Sequence, residues 1–158
     1  MSAYDYSFKT IDGEALPLST FKGKAVLVVN TASACGLTPQ YEALEALYRK
    51  YQGAGLVVLG VPANDFGKQE PGTEAEIKQF CTVKFHIDFP MTSKEVVIGP
   101  DAHPFYQWVV SELGEAATPK WNFHKYLIDK KGAIAGTFGS RTAPDAPEVV
   151  EAIEKALA

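Results

Sequence analysis

The segment VLVVNTASACGLTPQYEALEAL, residues 26–47, joins a strand pattern to a helix pattern and places Cys35 between them. Its first part belongs to an apolar, β-branched run over residues 25–31, which is typical of a strand covered on both faces. Thr38 is a suitable N-cap and Pro39 suits the first helical position. Apolar residues then recur at helical spacing until glycines end the helix after residue 52.

Strand and helix patterns continue to alternate on both sides of this segment. A small N-terminal hairpin is predicted around a turn at residues 12–13, and residues 56–61 form a second buried strand. Thr73 and Glu76 form a capping box that begins a helix running to about residue 84. The remaining predicted elements are a short strand at 89–91, a helix at 103–112, a hairpin of strands at 126–129 and 133–138, and a closing helix at 147–157.

This order of elements predicts an α/β protein with a thioredoxin-like fold, in which helices flank a central mixed β-sheet and a β-hairpin lies at the N-terminus. With 158 residues, of which 46% are apolar and 22% charged, we expect one globular domain over residues 1–158. The sequence contains no repeat, low-complexity tract or linker that would divide it.

Charge and hydropathy exclude several classes of partner. A net charge of -4 without a concentrated Lys/Arg face argues against nucleic acid. The longest apolar runs are far too short to cross a bilayer, and the first ten residues lack the basic-then-apolar pattern of an export signal. We therefore expect a soluble, cytoplasmic protein with no stable membrane association, in a compartment where any disulfide is transient.

Cys35 follows the end of a strand and precedes a helix by about one turn. Its sulfur should therefore lie near unpaired helix N–H groups and the positive end of the helix dipole, which favours the thiolate. Gly36 beside it lets backbone amides approach a bound oxygen or sulfur. Because position 38 is threonine, the motif is not Cys-x-x-Cys, and Cys35 has its redox partner elsewhere or has none. The simpler alternative is that both cysteines are buried small hydrophobes.

Three blocks of sequence resemble the signature blocks of the glutathione peroxidase family. They are NTASACGLTPQY at 30–41, GVPANDFGKQEPGT at 60–73 and WNFHKYLID at 121–129, and the length and order of the whole chain fit the same family. The resemblance implies a peroxidase that reduces hydrogen peroxide and organic or lipid hydroperoxides, with no cofactor and no metal ion. It also implies that Cys35 is the peroxide-reacting residue, at the position where some members have selenocysteine.

A peroxidatic cysteine needs hydrogen-bond donors around it. The thiolate attacks one peroxide oxygen, the O–O bond breaks, the departing oxygen takes a proton, and a sulfenic acid remains on the sulfur. Trp121 offers an indole N–H and Asn122 a side-chain amide, and by resemblance these two residues complete the site. Asn64 and Phe66 of the middle block are expected to support it.

Asp65 departs from the pattern of the family, where the middle block reads Asn-Gln-Phe. A carboxylate near a thiolate would raise the pKa of the thiol. Asp65 is therefore held as a neutral acid that donates a proton, turns away, or acts as a base toward the thiol. We expect a direct role in the site, because a short acid in a pocket of donors can deliver the proton that the leaving oxygen needs.

Cys81 stands where family members that recycle through an internal disulfide have their resolving cysteine. A structural role is also open, since Ile77, Phe80 and Cys81 form one apolar helix face. A disulfide with Cys35 would require the helix around Cys81 to unwind. An internal disulfide is best reduced by thioredoxin, whereas glutathione needs a cationic surface, and the only arginines are Arg49 and Arg141. Thioredoxin is therefore the expected reductant, ahead of glutathione.

The sequence is also compatible with two other functions. One is a redox sensor that passes oxidation to a partner protein instead of turning over. The other is a metal-binding chaperone of thioredoxin fold, although the spacing of its candidate ligands gives little support. These ligands would be Cys35, Cys81, His86, His103 and His124. Only the segment GEAATPK, residues 114–120, precedes the third block, and by resemblance this short form is a monomer with an open rim to its site.

Overall fold

A four-stranded mixed sheet forms the centre of the computed structural model, which describes residues 2–158. Its strands are β3 (Ala25–Thr31), β4 (Leu56–Pro62), β5 (Lys125–Ile128) and β6 (Ile134–Phe138), in the order β4-β3-β5-β6. The β3 and β4 strands are parallel, while β5 is antiparallel to both β3 and β6. A separate hairpin of β1 (Ser7–Lys9) and β2 (Ala15–Pro17) precedes the sheet.

Four helices cover the sheet, and the burial of β3 and β4 shows how completely they do so. The helices are α1 (Gln40–Tyr51), α2 (Glu74–Phe85), α3 (Pro104–Leu113) and α4 (Pro147–Leu157). Every residue of β3 and β4 is buried. On one face Leu27 packs in a cluster with Leu44 of α1 and Ile153 of α4. On the other face Val28 packs with Phe105 of α3, so alternate side chains of one strand serve two cores.

The register of the central strands brings three loops to one edge of the sheet. Thr31 pairs with Pro62, so the parallel strands β3 and β4 end side by side. Val29 pairs with Lys125 near the start of the antiparallel strand β5, so the segment before β5 lies at this same edge. The loops after β3 and β4 and the segment before β5 carry the three sequence blocks. Crevices outside the carboxyl ends of parallel strands are common binding sites in α/β proteins.

The predicted fold class is confirmed, and most predicted elements have the expected bounds. The predicted strand at 89–91 is wrong. Met91 and Thr92 form only isolated bridges, to Gly60 and Thr10 respectively. Pro90 has no N–H to donate, which limits pairing of this segment with β4. Gly60 leaves room for the Met91 side chain, since a Cβ there would lie 2.6 Å from Met91 Sδ and the methionine would have to move.

Within residues 2–158, no helix is both long enough and apolar enough to cross a membrane.

Candidate active site

Cys35 lies in the loop between β3 and α1, where its residue is 9% exposed. The backbone N–H of Leu37 donates to the Cys35 sulfur at 3.3 Å. A donor aimed at the sulfur stabilises negative charge there. The amide that reaches the sulfur is that of Leu37, and a Cβ added at Gly36 would meet nothing within 4 Å. The space around Gly36 therefore does not itself require glycine.

Thr38 fixes the cysteine loop and does not cap α1, contrary to the expectation from the sequence. Its Oγ1 accepts from the Cys35 N–H at 2.9 Å and donates to the Ala32 carbonyl at 2.8 Å. The helix begins at Gln40 with Pro39 as N-cap and no side-chain cap. Because the hydroxyl oxygen accepts from the cysteine amide, the residue that resembled a cap instead holds the backbone of Cys35 in place.

Gln69 joins the middle block to both other blocks. Its side-chain Oε1 accepts from Asn122 Nδ2 at 2.9 Å, and its backbone carbonyl accepts from the Ala34 N–H at 3.0 Å. Gln69 is not among the site residues that the sequence predicts. The signal was present in the quoted block, which holds a second amide-bearing side chain four residues after Asp65. Gln69 thus lies next to the cysteine loop and orients the amide of Asn122.

Asn30 shapes the turn that carries Trp121 and Asn122. Its Nδ2 donates to the Trp121 carbonyl at 3.1 Å, and its own carbonyl accepts from the Phe123 N–H at 2.6 Å. Phe123 has a φ of 66°, in the left-handed region that side chains other than glycine seldom adopt. Two hydrogen bonds from the end of β3 therefore hold a strained turn in which Asn122 is fully buried.

Trp121 forms an apolar rim beside this buried turn. Its residue is 37% exposed, and its ring centroid lies 5.9 Å from that of Phe66. Gly67, with a φ of 65°, allows the ring to approach, because a Cβ there would lie 3.0 Å from it. The indole is thus positioned by packing and remains accessible to a bound molecule.

The Asp65 side chain is hydrogen-bonded to a different loop, which contains Val97. Its Oδ2 accepts from the backbone N–H of Val97 at 2.7 Å, and no hydrogen bond joins it to the described residues Cys35, Trp121 or Asn122. The geometry corresponds to the outcome in which Asp65 turns away. Asn64 also acts locally, since its Oδ1 accepts from the Glu70 N–H at 2.9 Å and closes the loop after β4.

Cys81 is a free thiol buried in α2, with 2% of its residue exposed. The pKa of Cys81 is raised to about 11, mainly by burial and also by the charge of Glu70, while a hydrogen bond with Tyr41 opposes the rise. The thiol is therefore protonated at neutral pH in this state. Cys35 is also free, so the structure represents the reduced form of both cysteines.

Comparison with known proteins gives the family. A family model described as glutathione peroxidase matches residues 3–110. A glutathione peroxidase of Lactococcus lactis is 45% identical over 99% of this chain and 100% of its own length. The chain belongs to the glutathione peroxidase family. It is a thiol-dependent peroxidase of α/β, thioredoxin-like fold.

Two other relatives bear more specific names. A Synechocystis protein called hydroperoxy fatty acid reductase gpx1 is 43% identical, covering 98% of this chain and 95% of the relative. A Schizosaccharomyces pombe protein called glutathione peroxidase-like peroxiredoxin gpx1 is 45% identical, covering 90% and 91% respectively.

Solved structures agree with this assignment. The crystal structure of Trgpx in apo form superposes with a TM-score of 0.80 at 36% identity, covering 99% of this peroxidase and 95% of that chain. A thioredoxin family thiol:disulfide interchange protein from Chlorobium tepidum has a TM-score of 0.66 at 18% identity, covering 100% and 98%. The second likeness concerns the fold alone.

Two of the three histidines of the metal alternative, His103 and His124, are engaged separately in this peroxidase. His103 Nδ1 accepts from the Phe105 N–H at 3.1 Å, and its ring stacks on Phe8 with centroids 3.9 Å apart. His124 Nε2 lies 2.9 Å from Thr137 Oγ1. Across residues 2–158, no group of three His, Cys, Asp or Glu side chains is placed to hold a metal ion.

Proposed function

We propose that this peroxidase reduces hydroperoxides through Cys35. The Cys35 thiolate attacks one peroxide oxygen, the O–O bond breaks, and the leaving oxygen departs as water or an alcohol after taking a proton. A sulfenic acid remains on Cys35. The observation that carries this proposal is the Leu37 N–H aimed at the sulfur in a loop that Thr38 holds rigid.

Asn122, Trp121 and Gln69 are proposed to stabilise the charge that develops on the leaving oxygen. Asn122 uses one amide hydrogen on Gln69, which fixes the direction of the second. Preorganised donors of this kind are worth about 10²–10³ in rate each. Gln69 replaces Asp65 in this set, because the Asp65 carboxylate is engaged by Val97.

Cys81 is proposed to resolve the sulfenic acid by forming a disulfide with Cys35 and releasing water. A disulfide needs Cα atoms within about 7 Å, so α2 has to unwind locally to deliver the buried thiol. The anchoring of α2 supports this step, since Ile77 and Cys81 are its only buried residues within the described chain. A helix held by so few buried side chains opens at low cost in free energy.

Thioredoxin is the proposed reductant of that disulfide, ahead of glutathione. Arg49 is engaged by Glu45 and Asp88 and so is a poor anchor for the carboxylates of a tripeptide. The name of the S. pombe relative, a glutathione peroxidase-like peroxiredoxin, is consistent with a thiol-protein donor. Reduction by thioredoxin fits the cytoplasmic location that the sequence predicts.

Bulky organic and lipid hydroperoxides are proposed as substrates alongside hydrogen peroxide. The exposed Trp121 ring beside Phe66 offers an apolar contact for an acyl chain at the sheet edge that carries the cysteine loop. The Synechocystis relative is named as a hydroperoxy fatty acid reductase, which supports this substrate class.

We also propose that the protein is a monomer, because the segment before Trp121 is short, as in the monomeric form that the resemblance implies. Sedimentation equilibrium measures the mass of the particle in solution directly.

A coupled assay with thioredoxin, thioredoxin reductase and NADPH tests the proposal. We expect sustained NADPH oxidation with hydrogen peroxide and with a fatty acid hydroperoxide, and slower turnover when glutathione and glutathione reductase replace the thioredoxin system. Cys81→Ser should lose most thioredoxin-dependent turnover. A single oxidation without turnover would contradict the enzyme and favour a redox sensor.

A further inference from the structure

Lys125 is a buried cation that the proposed chemistry does not yet use. It is the first residue of β5 and is fully buried. Among residues 2–158, no carboxylate oxygen lies within 4.0 Å of its ammonium nitrogen. Burying a charge without a counter-ion costs free energy, and an apolar side chain of similar length would avoid that cost. The position of Lys125 therefore calls for a reason beyond packing.

Three backbone carbonyls surround the Lys125 ammonium. Its Nζ donates to the Phe123 carbonyl at 2.6 Å and to the Gly139 carbonyl at 3.3 Å, and it lies 3.5 Å from the Ser140 carbonyl. An ammonium group has three N–H donors, which matches this number of acceptors. Burial lowers the pKa of Lys125 to about 8, so the group is mostly protonated at pH 7. Its hydrogen bonds are therefore charge-assisted, which makes them stronger than those of a neutral donor.

The shortest of these bonds goes to the strained residue of the site. Phe123 has a φ of 66°. Its N–H donates to the Asn30 carbonyl at 2.6 Å, and its own carbonyl accepts from Lys125 Nζ at 2.6 Å. The peptide groups on both sides of Phe123 are thus held, one from the end of β3 and the other from β5. A strained backbone conformation persists only where its surroundings fix it, and Asn122 directly precedes this residue.

The same contacts reach the helix that follows the cysteine loop. Gln40 Nε2 donates to the Ser140 carbonyl at 2.7 Å, and Gln40 is the first residue of α1, two positions after Thr38. The short segment after β6 therefore lies between the Lys125 ammonium and the start of α1. Hydrogen bonds to this segment connect the turn that carries Asn122 to the cysteine side of the site.

We propose that Lys125 is a positioning residue that holds Asn122 in place for the reaction of Cys35 with peroxide. This assignment rests on the proposed role of Asn122 in stabilising the leaving oxygen. The ammonium does not contact the reacting atoms and acts through the Phe123 carbonyl. Without it the turn is free to leave the left-handed conformation, and the Asn122 amide is displaced. A displacement of about 1 Å in a catalytic group costs up to about 10²-fold in rate.

A double-mutant cycle of Lys125→Met and Asn122→Ala tests this role. Lys125→Met removes the three donors and keeps an unbranched side chain. The measured quantity is the second-order rate constant of Cys35 oxidation by hydrogen peroxide in stopped flow at pH 7. We expect Lys125→Met to lower it on the order of tenfold in the wild-type background and by less than about twofold in Asn122→Ala, where no amide remains to be displaced. The exposed Lys131→Met is the matched control and should keep the wild-type rate.

Urea unfolding of the same proteins separates positioning from stability. A change in the urea midpoint caused by Lys125→Met should persist in both backgrounds, whereas the change in rate should disappear in Asn122→Ala. Lys125→Arg, which keeps a cationic donor, should recover part of the rate that Lys125→Met loses. Equal losses of rate in both backgrounds would show that Lys125 acts only on the fold, and would overturn the proposal.

The remaining outcomes distinguish this proposal from the one on which it rests. A wild-type rate in Lys125→Met beside a slow Asn122→Ala would overturn the role of Lys125 alone. A wild-type rate in Asn122→Ala would overturn the role of Asn122, and this proposal with it. Where the variants at position 125 do not fold, NMR of the wild-type protein should show the coupling between Lys125 Nζ and the Phe123 carbonyl carbon across their hydrogen bond. Its absence from the folded protein would contradict the positioning role.

Discussion

Asn122 donates a hydrogen bond from Nδ2 to Oε1 of Gln69 over 2.9 Å, although the two residues are 53 positions apart. The backbone carbonyl of Gln69 in turn accepts from Ala34, next to Cys35. One residue of the loop after β4 therefore connects the cysteine loop to the turn before β5. This connection makes the orientation of the Asn122 amide depend on Gln69, whereas the Asp65 carboxylate accepts from the Val97 N–H instead.

Substitution of Gln69 should slow the reaction of Cys35 with peroxide. Gln69→Ala removes one donor and frees the Asn122 amide, so we expect the second-order rate constant to fall by about 10²-fold. Asp65→Asn is the matched comparison, and we expect a change within about twofold together with a loss of about 1 kcal/mol in unfolding free energy, from the weaker bond to Val97. Stopped-flow tryptophan fluorescence against pH measures both rates. A larger loss in Asp65→Asn than in Gln69→Ala would restore the direct role of Asp65.

The hydroxyl of Thr38 should matter for both stability and rate. Thr38→Val leaves the Cys35 N–H and the Ala32 carbonyl unpaired in a buried loop, which costs about 2 kcal/mol of unfolding free energy. Cys35 then loses its fixed position, and the rate of its reaction with peroxide should fall on the order of tenfold. Urea unfolding and stopped-flow oxidation check the two effects. Thr38→Ser, which keeps the hydroxyl, is the control, and equal behaviour of Val and Ser at this position would contradict the argument.

Weakening the start of α2 should accelerate disulfide formation. Thr73 Oγ1 accepts from the Glu76 N–H at 3.2 Å, and Glu76 Oε1 accepts from the Thr73 N–H at 3.1 Å. Thr73→Ala removes half of this capping box and costs the helix about 1 kcal/mol. If α2 unwinds before Cys81 attacks, the disulfide rate should rise about fivefold. Quenched-flow mass spectrometry measures it, with Thr73→Ser as control, and a rate that stays the same would show that α2 need not open.

His124 should make the protein less stable as the pH falls from about 6.5 to about 4. Burial, together with the charges of Lys125 and Lys120, lowers the pKa of His124 to about 4. The unfolded chain therefore binds a proton at higher pH than the folded chain, so this contribution is present above pH 6.5 and lost on acidification. The loss amounts to about 3 kcal/mol at most. Urea midpoints at pH 7 and pH 4.5 measure it, and a pH dependence as steep in His124→Gln as in the wild type would contradict it.

Much of the fold follows from local pattern. The strand predicted at residues 25–31 is the observed β3, because a continuous apolar, β-branched run of this length is typical of a strand buried on both faces. The capping box at Thr73 and the closing helix at Pro147–Leu157 were likewise predicted correctly. These features depend on neighbours in sequence, and so a single sequence is enough to reveal them.

The predictions that differ from the structure concern polar side chains. Their hydrogen-bond partners lie far away in the sequence, or two possible partners compete for the same side chain. Thr38 has the residue type and position of a cap, yet its hydroxyl is taken by Cys35 and Ala32. Asp65 and Gln69 lie four positions apart in one loop, and only the folded loop decides which of them points toward Asn122 and which toward Val97. The resemblance located the loop, but local sequence could not distinguish its two polar side chains.

The reaction of one equivalent of hydrogen peroxide with the wild-type protein and with Cys35→Ser tests the central claim most directly. Peroxide consumption is followed in the absence of any reductant, and the oxidised residue is located by mass spectrometry. The wild-type protein should consume the peroxide rapidly, with sulfenic acid or disulfide at Cys35, whereas Cys35→Ser should consume none. Consumption by Cys35→Ser at the wild-type rate would contradict the account.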